Sequence, residues 1–148
     1  MRLVIQRVAS ANCKVDNRIT GEINTGYLIL VGFGLNDDEQ IVSKLAQKVS
    51  KLRIFEDDEG KINKSIYDVN GSILSISQFT LYADCKKGNR PSFTDALSGE
   101  RAVSLYKYFN ECLRNLDLEV QEGVFGADMK ISLLNDGPVT IILDSEEL

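Results

Sequence analysis

Histidine is absent from this sequence. Ser-His-Asp and Cys-His catalysis is therefore impossible within one chain type, and so is any histidine-ligated metal. Proline is scarce, with only Pro91 and Pro138. No Pro-, Ser- or Gly-rich linker, low-complexity tract or repeat period divides the chain, so residues 1–148 are expected to form a single domain. A chain of that length buries about 68–70% of its unfolded surface, enough for a core without staples. The three cysteines, Cys13, Cys85 and Cys112, are an odd number without metal or disulfide spacing; free thiols in a reducing cytoplasm are the simplest reading. No stretch approaches the roughly 18 apolar residues of a membrane span, and the run at Leu3-Val4-Ile5 is too short for a signal peptide. A cytoplasmic protein with no membrane partner is expected.

What is present is ordinary in bulk: 26% charged and 43% hydrophobic residues, as in soluble globular proteins. The net charge of -5 argues against wrapping a long nucleic-acid backbone, and no DNA partner is expected. It leaves room for an enzyme that grips only the tip of an RNA. One basic cluster, Lys86-Lys87-Gly88-Asn89-Arg90, stands out against this acidic background. As a bare charge run it reads as a solvated loop.

Hydrophobic patterning divides the chain into short strands and two helices. Leu3 to Val8 reads as a first strand. Asn12 to Val15 and Arg18 to Ile23 flank Asp16-Asn17, a two-residue hairpin signal. Tyr27 to Phe33 is a nearly continuous apolar run, as in a strand buried on both faces. A helix follows, with Asp37 read as its N-cap, Gln40 three residues on, and Ile41, Val42, Leu45, Ala46, Val49 and Leu52 in one stripe. Arg53 to Phe55 returns to strand. Ser72 to Gln78 is a further strand in which only Ile73 falls out of step. A second helix covers about Glu100 to Leu116. Glu119 to Val124, Lys130 to Leu134 and Val139 to Leu143 complete the strands. This order fits an α+β fold better than a regular βαβ alternation.

Three candidate sites fail on chemistry. Gly32-Phe33-Gly34 lies between a strand and a helix, but the third glycine of a dinucleotide fingerprint would fall at Asp37, whose carboxylate repels a pyrophosphate. The acidic turn Glu56 to Glu59 lacks the alternating ligands of a calcium loop. Cys85 has Lys86 and Lys87 beside it to lower its pKa, yet without an imidazole base it reads as a loop cysteine.

Two segments carry more. Ser77-Gln78-Phe79-Thr80-Leu81-Tyr82-Ala83-Asp84 offers hydroxyl, amide and backbone donors where a strand ends. Asn135-Asp136-Gly137-Pro138-Val139-Thr140 places a glycine directly before a proline, in a turn between two apolar strands. Such a backbone can approach a ligand closely, and the proline leaves the Gly137 and Pro138 carbonyls free. Taken alone, the first is also readable as a polar strand end and the second as an ordinary hairpin turn. Together they closely resemble the two signature motifs of the D-aminoacyl-tRNA deacylases. Met1 to Val8, Leu52 to Asn63, Lys87 to Phe93 and Phe125 to Met129 also look like their counterparts there, in the same order.

The resemblance implies a β-rich, barrel-like sheet with two packed helices. It implies an ester hydrolase without metal or cofactor that cuts D-amino acids, and glycine mischarged on tRNA-Ala, from the 3′ end of tRNA. It implies a homodimer with its sites at the interface, the Gly-Pro pair of one subunit entering the site of the other. Ser77, Gln78, Phe79 and Thr80 would then form the catalytic segment. Gly137 and Pro138, joined by a cis bond, would receive the substrate's amino group and leave no room for an L side chain. Arg7 matches the arginine that holds this pair. Phe125, Ala127 and Met129 match a segment near the pocket for the terminal adenosine, and Lys86, Lys87 and Arg90 stand beside the site. Intact Ser-Gln-Phe-Thr favours the strictly D-selective branch over the one with proline and alanine at positions 77 and 79. The rivals are a non-catalytic RNA-end or nucleotide-binding module using the same pocket, and a structural β-rich subunit. A Gly137→Ala change separates the last from the enzyme.

Overall fold

A strand that is paired along both sides organises the molecule. The computed structural model describes residues 1–148. Its first strand, β1 (Arg2–Val15), pairs through its first half with β3 (Gly26–Gly32) and through its second half with β2 (Arg18–Ile23). On its other side it runs antiparallel to β8 (Lys130–Asp144) from end to end. Asp16 and Asn17 join β1 to β2 with φ of 50° and 62°, the left-handed pair that a tight two-residue hairpin requires.

Leu3–Val8 and Asn12–Val15 are thus parts of one strand, not two. The alternation breaks between them because the pairing with β8 shifts register between Val8 and Ser10. One extra residue reverses which face a strand's side chains take. Leu3 and Ile5 pack into the larger core, whereas Ala11 and Cys13 pack into a second, smaller one.

From β3 the chain crosses over through α1 (Glu39–Ser50) and a small hairpin, β4 (Phe55–Glu56) with β5 (Ile62–Lys64), to reach β6 (Ser72–Ser77). A second crossover through α2 (Gly99–Arg114) leads to β7 (Glu119–Glu122). β3, β6 and β7 lie parallel to one another. The sheet order is β2-β1-β3-β6-β7, with β8 branching from β1. β2 and β7 come close enough that a side chain at Gly21 would meet the Glu122 carbonyl at 2.8 Å, so the sheet is nearly closed into a barrel. This is the α+β, barrel-like sheet with two helices that the sequence led us to expect.

Both helices cover one face. Val42, Leu45, Ala46 and Val49 of α1, and Leu105, Tyr106, Phe109 and Leu113 of α2, join Leu3, Ile5, Ile29 and Ile73 in the larger core. Ile73 fell out of step because β6 is buried on both faces: it points to the helices while Leu74 and Ile76 fill the barrel. Such central parallel strands do not alternate.

The N-cap of α1 is Asp38, whose carboxylate accepts from the Ile41 N–H at 2.9 Å. Asp37 is not the cap. It is buried, accepts from the Gly34 N–H at 2.6 Å and binds the Met1 amine. A carboxylate taken from water needs such partners, and only the next residue is left free to cap. The strand expected at Arg53–Phe55 starts two residues later, at Phe55–Glu56, because Arg53 and Ile54 lie outside the hairpin ladder. The strand expected to reach Val124 stops at Glu122.

Candidate active site

Crevices open where parallel strands end at their carboxyl termini, since the chain leaves the sheet there and no strand fills the space. The ends of β3, β6 and the segment after β7 border one pocket of about 270 Å³. Val31 and Phe33 come from β3 and its extension, Ile76 to Phe79 from the end of β6, and Phe125 to Met129 from beyond β7. That volume lies just below the roughly 300 Å³ at which small-molecule clefts begin and is far too small for a helical stem.

The polar rim is fixed by backbone. The Gln78 N–H donates to the Val31 carbonyl at 2.7 Å, the last bond before the chain turns. Phe79–Tyr82 then forms a single 3₁₀ turn. As its first residues, Phe79 and Thr80 have N–H groups without an acceptor inside the turn. The turn lies close on β3: a side chain at Gly32 would meet the Gln78 carbonyl at 2.9 Å, and one at Gly34 would meet the Tyr82 ring at 2.9 Å. The Gly32-Phe33-Gly34 sequence therefore makes room for the motif instead of cradling phosphates.

The side-chain amide of Gln78 donates to the Thr80 hydroxyl, and both residues are open to solvent to different degrees. An amide donor orients that hydroxyl but cannot take its proton. Asp128 is the one ionisable residue lining the pocket, and both its oxygens accept from Lys130 Nζ at 3.0 Å. Tyr82, at the end of the turn, is no base either. Burial above all, followed by the Asp37 and Asp144 carboxylates, raises its hydroxyl pKa well above the ordinary range. The pocket can position an ester and bind developing negative charge; its one carboxylate, Asp128, is exposed and paired with Lys130.

Phe125, Ala127 and Met129 all line the pocket. Gly126 turns the segment with a φ of 77°, and the Ala127 N–H closes it on the Val124 carbonyl at 3.1 Å. The Phe125 ring rests against Tyr106, centroids 5.8 Å apart. Tyr106 donates to the Ser75 carbonyl at 2.8 Å, and the same carbonyl accepts the Gly123 N–H at 3.1 Å. Sequence reading missed Tyr106 because it sits in the apolar stripe of α2 and looks like core. It also missed Asp128, although that residue lies within the segment singled out.

Lys86, Lys87 and Arg90 do not line this pocket. They project from an exposed loop closed by an antiparallel bridge between Asp84 and Ser92.

Gly137, Pro138 and Arg7 form a second group, also outside the pocket. The expected turn between two strands does not exist: Lys130–Asp144 is one strand. In its pairing with β1, Asn135 lies opposite Val8 and Thr140 opposite Gln6, so Asp136 to Val139 face Arg7 alone. A turn signal opposite one residue of an unbroken neighbour makes a wide bulge, because β8 stays anchored to β1 on both sides. Gly137 has a φ of 130°, a value that disfavours any side chain, and the Gly137–Pro138 peptide is cis. Arg7 is buried beneath. Its Nε donates to the Asp136 carbonyl at 2.8 Å and its Nη1 to the Ile54 carbonyl at 2.7 Å. Asp136 and Glu56 carboxylates flank it at 3.6 and 3.7 Å.

The family described as D-Tyr-tRNA(Tyr) deacylase matches residues 4–144. A D-aminoacyl-tRNA deacylase of Bacillus pumilus (strain SAFR-032) is 54% identical over 147 residues, covering 99% of this chain and 100% of the relative. Among solved structures, one titled c-Myc DNA Unwinding Element Binding Protein superposes with a TM-score of 0.91 at 39% identity, covering 97% of this chain and 98% of that one. Another, titled a probable eukaryotic D-amino acid tRNA deacylase, has a TM-score of 0.81 at 17% identity over 96% and 97% of the two chains, and shares the fold. The chain belongs to the D-Tyr-tRNA(Tyr) deacylase family.

Proposed function

We propose that this protein hydrolyses the ester between a D-amino acid and the 3′-terminal ribose of tRNA, and likewise removes glycine mischarged on tRNA-Ala, as a proofreading step of translation. Water adds to the ester carbonyl, the bond to the ribose oxygen breaks, and free amino acid and tRNA leave. The terminal adenosine occupies the pocket bordered by Phe125, Ala127 and Met129. The ester carbonyl sits at the Phe79 and Thr80 N–H groups, which stabilise the oxyanion. An aminoacyl ester is already labile, so positioning and charge stabilisation suffice. Ser77 and Thr80 orient the substrate, and its own 2′-hydroxyl helps activate water. The bond from Gln78, which supplies a proton donor and no base, supports this role for Thr80.

One observation carries the reading of chirality: the expected site residues lie in two places, a pocket and an exposed bulge outside it. The site is completed when the bulge of a second copy enters the pocket. β8 is suited to that contact, since it pairs only with β1 and exposes Leu134 and Ile142 by 62% and 65%. A long open edge bearing apolar side chains invites a partner. Backbone carbonyls of Gly137 and Pro138 then accept the substrate's amino group. With amino group and carbonyl both fixed, D and L side chains point in different directions, and rigid backbone blocks the L direction. Glycine has nothing to block. The homodimer, the substrate roles of Arg7, Lys86, Lys87 and Arg90, and the absence of a metal requirement are parts of the same proposal.

The test is hydrolysis of matched D-tyrosyl-, L-tyrosyl- and glycyl-tRNA by the purified protein with EDTA present. Rapid loss of the D and glycyl esters with the L ester spared is expected. A folded protein that binds the tRNA end and turns over none of them would instead be a binding module.

A further inference from the structure

Outside the pocket, one exposed feature combines two chemistries. Phe79 and Phe93 meet edge to face, with ring centroids 5.1 Å apart and planes at 69°. They are 53% and 37% exposed, unusual for two touching aromatic rings that could bury each other. Phe79 also belongs to the pocket wall, so the pair begins where the pocket ends. Phe93 directly follows the bridge that closes the basic loop, in which the Asp84 and Ser92 backbones exchange hydrogen bonds of 2.8 and 2.9 Å. Lys86, Lys87 and Arg90 lie inside that loop and all three are exposed. None of them forms an ion pair with a carboxylate. In a chain with 22 acidic residues and 17 basic ones, residues 85–91 carry three cations and no carboxylate; Asp84 and Asp95 border Lys86 in one cavity, and Lys87 and Arg90 stand apart from that cavity.

We infer that the Phe79–Phe93 pair and the loop 85–91 together bind the single-stranded nucleotides that precede the terminal adenosine, the pair stacking on the penultimate base and the loop cations meeting the phosphates. The inference rests on the terminal adenosine occupying the pocket. Its 5′-phosphate then leaves toward the rim, where an aromatic face and unpaired cations occur side by side. That combination is how proteins hold unpaired nucleic acid without reading its sequence, since every base has a flat face and every linkage a charge. It fits a substrate class whose last bases are common to all members. It also reconciles a net charge of -5 with an RNA substrate, because only a few linkages need to be met.

The experiment uses D-tyrosyl esters of adenosine, of cytidylyl-adenosine and of cytidylyl-cytidylyl-adenosine, with the full-length protein and its Phe93→Leu variant. In the parent protein, kcat/KM should rise roughly tenfold from the mononucleoside to the dinucleotide, the value of about one stacked base. In Phe93→Leu that ratio should fall to near one. Lys87→Gln and Arg90→Gln should each flatten the salt dependence of kcat/KM for the trinucleotide ester by a slope of about 0.7. An unchanged ratio in Phe93→Leu overturns the inference. So does an equal loss on all three esters, which would place Phe93 in the pocket wall, or a change of sedimentation coefficient, which would place the rim between copies. If the parent protein cleaves the adenosine ester but shows no gain with length, the inference fails while the deacylase reading stands. If it cleaves none, that reading fails, and calorimetric binding of cytidylyl-cytidylyl-adenosine against adenosine monophosphate decides the inference: at least tenfold tighter binding of the trinucleotide supports it, and equal affinity overturns it.

Discussion

The pocket and the bulge are held in opposite ways. The pocket stands at the ends of three parallel strands, and its walls come from separate parts of the chain. Its geometry is shared among many contacts, so no single side chain supports it alone. The bulge on β8 is exposed, and one buried guanidinium anchors it through the Asp136 carbonyl. Redundant support tolerates change; a single anchor does not. If the bulge is the part that sorts D from L, selectivity depends on fewer atoms than binding does.

Gly137→Ala gives the sharpest contrast. The new methyl would lie 2.9 Å from Arg7 Nη2, at a φ of 130° that disfavours any side chain. Because misplacement of a positioning group by about 1 Å can cost 10²-fold, D-tyrosyl-tRNA hydrolysis should fall by about that factor while the circular dichroism spectrum stays that of the parent. A wild-type rate would detach the bulge from the reaction. Arg7→Met comes next. It leaves the Ile54 and Asp136 carbonyls without their charged donor, at a cost of about 1.5–3 kcal/mol per bond, and should lower both the urea midpoint and the D-ester rate. Loss of stability with full activity would mean that the anchor is dispensable to the bulge.

Tyr106→Phe probes the redundant side. It removes one bond to the Ser75 carbonyl, which keeps its bond from Gly123, so about 1 kcal/mol of stability should be lost and KM should change less than threefold. A tenfold rise in KM would show that the pocket, too, depends on one residue. The smallest effect concerns acid. Burial alone would raise the Asp144 carboxyl, but bonds from the Glu146 N–H and Arg2 outweigh it and hold the pKa below the usual range. A depressed carboxylate contributes stability above its unfolded pKa, about 3.9, and loses it as pH falls through the folded value. Urea midpoints of Asp144→Asn and the parent should therefore differ at pH 6 and converge in strong acid. A constant gap would assign Asp144 a role independent of charge.

The sequence made the pocket legible for a physical reason. A strand that ends in polar residues before a helix leaves a recognisable break in hydrophobic patterning, and Ser77 to Thr80 lie at such a break. The elements themselves were readable for the same reason, with α1 and α2 found within a few residues. The bulge was legible as a motif and illegible as a shape. Asn135-Asp136-Gly137 carries turn chemistry, and local chemistry cannot reveal that β1 continues opposite it without a break. Asp37 and Asp38 show the same limit at a helix start. Both suit an N-cap, and the choice depends on Gly34 and Met1, which reach Asp37 only in the folded chain. Ile73 was out of step with a two-residue period because burial on both faces removes the period.

The pairing of β1 has a consequence for how the molecule breathes. Successive N–H groups of an antiparallel strand point to opposite sides. Arg2 to Gln6 have β3 on one side and β8 on the other, and Ala11 to Lys14 have β2 and β8. Nearly every amide of β1 is therefore capped by a neighbouring strand, and its exchange with solvent deuterium should need the whole sheet to come apart. Ala9 pairs with neither side. In a deuterium-exchange map it should exchange faster than Leu3 to Ile5, which have partners on both sides, and it lies two residues from the arginine that holds the bulge.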